Sequence, residues 1–129
     1  MGNLAQIDYR ELRINIDKNP LTRKDFVYLI RKNIDGIVFT KQMKSDGLLL
    51  PSKSGKYLMK VNSNQSEDEQ KKTLVHEAIH LKYNLLSLNC FQAMRIEPWA
   101  EELTKLFYEK NKNFIDLYYK NIFENWEQS

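Results

Sequence analysis

The chain is poor in cysteine, histidine, glycine and proline, and each shortage narrows what it can be. Cys90 is the only cysteine among 129 residues, so no disulfide can close within the chain. That suits a reducing compartment, and the expected location is the cytoplasm. Four glycines and three prolines exclude a collagen-like or low-complexity architecture. No run of about 18 apolar residues occurs, so no membrane-spanning helix is expected. The opening stretch, MGNLAQIDYRELRINID, carries charges throughout and lacks an apolar centre, so no secretory signal is expected. Gln6 stands where N-myristoylation would require Ser or Thr. The net charge is only +3. Lys71 and Lys72 sit beside Glu67, Asp68 and Glu69, which reads as a solvated face rather than a nucleic-acid surface.

What is present is an ordinary globular composition, 42% hydrophobic and 29% charged, on a length that suits one domain over residues 1–129. Such a chain can bury a core without metal or disulfides. Residues 1–19 are weakly patterned, and Asn19-Pro20 marks a break. Thr22 followed by Asp25 reads as a capping box, and Phe26, Leu29 and Ile30 give the apolar stripe of a helix over 22–33. Asp35-Gly36 closes that helix. Three strands follow at 37–40, 48–50 and 56–61, separated by the turn signals Asp46-Gly47 and Ser52-Lys53-Ser54-Gly55. Ser66 with Glu69 opens a helix over about 67–86. Leu74, Ala78, Leu81 and Leu85 form its core stripe, and Thr73, His76, His80 and Tyr83 an adjacent one. Pro98 fits the first position of a further helix to about 110, with Trp99, Leu103, Leu106 and Phe107 buried. A last helix over about 114–126 would pack Phe114, Leu117, Tyr118, Ile122 and Trp126. The expected fold is α+β: a small three-stranded, mostly antiparallel sheet flanked by helices.

The central helix carries His76-Glu77-Ala78-Ile79-His80. Residues four apart on a helix lie one above the other, so both imidazoles can reach one metal at about 2.0–2.1 Å. Glu77 is turned about 100° from the first histidine, too far round to ligate easily but close enough to act on a water at the metal. These are the only two histidines in the chain. Random placement would give this pattern in about one chain in a thousand, which sets the false-positive risk of the HExxH signature against a confident amphipathic helix. A catalytic zinc needs a third protein ligand. With no third histidine, that ligand is a carboxylate or Cys90. Glu97 and Glu101 share one helix face and are the leading candidates, Glu97 first, whereas Glu102 points elsewhere. Cys90, beside Leu86, Leu88 and Phe91, reads better as a small buried hydrophobe.

From Gly47 to about Phe107 the sequence resembles the ImmA/IrrE family of zinc metallopeptidases. The resemblance rests on the glycine turn, on a strand running into an Asn-containing loop, on Thr73-Leu74-Val75-His76-Glu77, and on Glu97-x-x-Ala100 downstream. It implies His76, His80 and Glu97 as zinc ligands and Glu77 as catalytic base. It also implies a regulatory peptidase of mobile elements or stress responses, with a narrow protein substrate such as a helix-turn-helix repressor. Ile79 stands where the family carries Gly, and Leu103 where it carries Phe.

The residues themselves lead to metal-assisted hydrolysis, with Glu77 as the proton carrier. Tyr83, one turn beyond His80, is a candidate oxyanion donor or an aromatic packing beside the site. The strand at 56–61 is either an exposed edge that binds substrate as an added strand or an interior strand. The rival expectation is a non-catalytic zincin-like module, an antirepressor or scaffold with a structural zinc. Such a site would need no general base.

Overall fold

The computed structural model describes residues 7–125. Their order is α1 (Tyr9–Lys18), α2 (Arg23–Asn33), β1 (Ile34–Thr40), β2 (Gly47–Pro51), β3 (Tyr57–Asn62), α3 (Glu67–Lys82), a 3-10 turn (Leu85–Ser87), α4 (Cys90–Lys110) and α5 (Lys112–Asn125). This is a small α+β fold with a three-stranded sheet. Residues 1–6, including Gln6, and Trp126, expected in the last helix, lie outside the described residues. Among the described residues no helix is long and apolar enough to cross a membrane.

The weakly patterned opening contains a helix. Asp8 caps α1 by accepting from the Glu11 backbone N–H at 3.0 Å. Only Ile16 on it is buried, which is why no stripe announces it. The capping box at Thr22 and Asp25 forms in both directions, at 3.0 and 3.2 Å. The chain then passes directly from α2 into β1, so Asp35 and Gly36 lie in the strand. A register irregularity between Ile34 and Gly36 absorbs them.

The strand order is β1-β3-β2. β2 runs antiparallel to β3, as expected, but β1 runs parallel to it, so the sheet is mixed. Segment 56–61 is therefore the interior strand, and β2 is an edge. The parallel pair arises because residues 41–46 step over the end of β3. Asn62, the last residue of β3, holds that step in place. Its side-chain amide donates to the carbonyls of Ser45 at 3.1 Å and Met43 at 3.3 Å, and its backbone N–H donates to Asp46 at 2.9 Å. Gly55 turns β2 into β3 with φ +90°, a conformation that disfavours any side chain.

Ile37, Phe39, Met59 and Val61 alternate onto one face of the sheet and are fully buried there. They share the core with Leu74, Val75, Ala78 and Ile79 of α3, and each buried Leu, Ile, Val, Phe or Met side chain there contributes about 1.5–3 kcal/mol. The sheet, α2 and α4 all pack on α3, so it is enclosed on more sides than its two predicted stripes suggest. Leu106 and Leu117, expected in the core, are exposed; Ile115 is buried instead.

α4 begins at Cys90, two turns before the expected start at Pro98. Asn89 and Gln92 form a full capping box, at 2.9 and 3.0 Å. Pro98 therefore sits inside the helix on an exposed face, where its missing N–H costs a hydrogen bond but no buried group. The consequence is functional: Glu97 lies within a helix rather than ahead of one.

Candidate metal centre

α3 sets the position of both histidines. Ser66 caps its start by accepting from Glu69 N–H at 3.2 Å, and the left-handed Asn84 follows its end. Near that end, Lys82 Nζ binds Asp25 at 2.8 Å, and the Tyr83 hydroxyl donates to the Asn19 carbonyl at 2.6 Å. The helix is thus pinned to α2 and to the α1–α2 connection. Tyr83 is occupied by that bond and lines an apolar recess with Ile79 and Phe107, so the structure does not bring it to the histidines.

The two imidazole rings lie 4.5 Å apart, centroid to centroid, at 53°. α4 delivers Glu97 between them: Oε1 is 2.6 Å from His76 Nε2 and 3.4 Å from His80 Nε2. One ligand atom from each of the three residues falls within 4.8 Å of the others, the only such group among the described residues. A tetrahedral zinc with bonds near 2.1 Å separates its ligand atoms by about 3.4 Å. The cluster therefore needs only small side-chain adjustments to hold such an ion. Glu97 Oε1 is sealed from solvent and, among the described residues, only the two ring nitrogens stand within contact distance of it. A sealed carboxylate oxygen left this way is costly, and a cation shared with the imidazoles would satisfy it.

Glu101 takes a different place. Its Oε1 lies 3.3 Å from His76 Nδ1, so His76 has Glu97 at one nitrogen and Glu101 at the other. That is the outer position from which a carboxylate orients a ligating histidine. Cys90 is exposed at the first position of α4 rather than buried, and it is not part of the cluster.

Glu77 is 6% exposed and makes no hydrogen bond to the described residues; its Oε1 is 3.8 Å from His80 Nδ1. Burial pushes its carboxyl above the ordinary carboxylate range, against the pull of the two imidazoles. Burial would also lower the His76 pKa, but contact with Glu97 and the charges of Glu97, Glu77 and Glu101 outweigh it and raise the value. Glu97 is held far below the usual range, first by His76 and then by His80.

All four groups open into a cleft of about 710 Å³ between α3, α4 and the start of β2. Gly47, read in the sequence only as a turn signal, forms part of its wall. A Cβ there would overlap Thr73 Cγ2 and stand 2.9 Å from Glu77 Oε2. No local pattern reveals this, because the approach is between residues of different elements. The set can hold one divalent cation beside a buried carboxylate that faces the same opening. No protein-family model, curated protein or solved structure matches this chain.

Proposed function

We propose that the protein is a zinc metallopeptidase of the HExxH type, with His76, His80 and Glu97 as the metal-holding residues. The observation that carries this reading is the convergence of these three on one point, with Glu77 buried beside it and facing the same cleft. Zinc in such a set supplies Lewis acidity that favours ionisation of a water and polarises a carbonyl. The chain's own contribution is proton handling and orientation. Glu77, without a hydrogen bond to the described residues and with its affinity for protons raised by burial, accepts a proton at its carboxylate and returns it to the leaving amine. Glu101 orients the His76 ring, and α4 holds Glu97 against both histidines.

A polypeptide substrate is supported by β2, an edge strand whose first residue lines the cleft and whose outer rim can take an added strand. A narrow protein substrate such as a helix-turn-helix repressor follows from the resemblance to the ImmA/IrrE family. Placement in the cytoplasm rests on the single cysteine. A structural zinc would leave Glu77, buried beside the cluster and facing the same cleft, without a role. The discriminating variant is Glu77→Gln. Metal bound as in the wild type with hydrolysis of a peptide library abolished supports the enzyme, while undiminished hydrolysis removes it.

A further inference from the structure

The start of β2 is tied to α3 through Gln65. The Asp46 carbonyl accepts from Asn62 N–H at 2.9 Å and from the Gln65 amide at 3.2 Å. The same Gln65 amide nitrogen donates to Thr73 Oγ1 at 3.1 Å, and that hydroxyl donates to the Glu69 carbonyl at 2.9 Å. Gly47 itself pairs with Val61. Strand, bridge and helix are therefore tied together on both sides of Gly47, and Thr73 cannot rotate its methyl aside without losing both hydroxyl bonds. Gly47 does not have a positive φ, so its lack of a side chain serves space rather than conformation. The space it leaves is bounded by Thr73 Cγ2 and by Glu77 Oε2, while the other Glu77 oxygen faces the His80 ring.

We propose that Gly47 is a positioning residue for Glu77: the bare backbone of β2 is the wall against which the Glu77 carboxylate is set towards the metal-holding cluster. This rests on the metallopeptidase reading. A Cβ at position 47 would crowd Oε2 from 2.9 Å as well as overlap the Thr73 methyl, so with that methyl removed the Glu77 carboxylate must still give way and turn off its line. A merely structural role predicts something else, namely that the harm comes from the overlap with Thr73 and vanishes when that methyl is removed.

The test compares Gly47→Ala with the double variant Gly47→Ala/Thr73→Ser, which deletes the Thr73 methyl and keeps its hydroxyl. Zinc stoichiometry, kcat and KM on a cleaved peptide, and the side-chain carboxyl 13C resonance of Glu77 in the metal-free protein are measured. That resonance is assigned by its loss in Glu77→Gln. The expected result is unchanged zinc stoichiometry and KM, a kcat lower by about 100-fold, the scale of a misplacement near 1 Å, and a displaced Glu77 resonance, in both variants. Restoration of kcat and of the resonance by Thr73→Ser overturns the proposal, as does wild-type behaviour of Gly47→Ala. If Gly47→Ala fails to fold, the double variant carries the test; if both fail, the glycine is a packing requirement and the proposal falls. If the zinc-loaded wild type cleaves nothing, the enzymatic reading fails instead, and the resonance still reports whether Gly47 positions Glu77.

Discussion

Glu101 Oε1 lies 3.3 Å from His76 Nδ1, on the opposite side of the ring from Glu97 Oε1 at 2.6 Å. The two glutamates that the sequence offers as rival third ligands therefore have separate places around one histidine. This geometry makes their substitutions distinguishable. Glu101→Ala removes an orienting partner and is expected to weaken zinc binding by about 10- to 100-fold. Glu97→Ala removes an inner ligand and should exceed that upper limit. Chelator-competition titrations of the two variants measure the difference, and equal losses would contradict the assignment.

Zinc binding should depend on pH through His76. Its pKa in the metal-free protein is raised by Glu97 and the neighbouring carboxylates despite burial, so a proton competes with the metal up to a higher pH than for a free imidazole. Affinity is expected to rise with pH across roughly pH 5 to 8 and to level off above the His76 pKa. Glu101→Gln, which removes one of the raising charges, should shift that rise to lower pH. The check is the apparent zinc affinity of both proteins across the range.

Asp25 ties α2 to the helix that carries the histidines. Lys82, then offset in part by burial, then the Thr22 cap, hold its carboxyl below the usual value. A depressed folded pKa means that its contribution to stability is present above the unfolded value near 4 and is lost as pH falls through the folded one. Asp25 is about a third exposed, which limits the ion-pair part. Asp25→Ala is expected to destabilise by about 1 kcal/mol at pH 7 through the lost half of the capping box and the Lys82 contact, and the difference should shrink as pH falls through the folded pKa. Urea midpoints of the two proteins measured from pH 7 downwards decide this.

Features built from neighbours in sequence were legible in advance. The Thr22–Asp25 box, the β-branched run at 37–40 and the i, i+4 pair His76 and His80 each announce themselves within a few residues. The rest depends on partners far along the chain. α1 buries only Ile16, so it leaves no periodic trace. Pro98 signals a helix start, but the Asn89–Gln92 box begins α4 earlier and the exposed proline is carried within it. The parallel pairing of β1 depends on Asn62 holding a loop, and a polar loop sequence does not say what it holds. Within the site, Glu97 and Glu101 share a helix face, and only the placement of α4 against α3 separates them. Gly47 carries a turn signal and a second role that only the fold discloses.

The central claim is that His76, His80 and Glu97 together hold one zinc ion. Metal content of the purified protein after zinc loading and desalting, compared with that of His76→Ala, tests it most directly. About one zinc per wild-type chain and near-zero occupancy in the folded variant are expected. A wild-type chain without zinc, or a variant that retains it, would contradict the account.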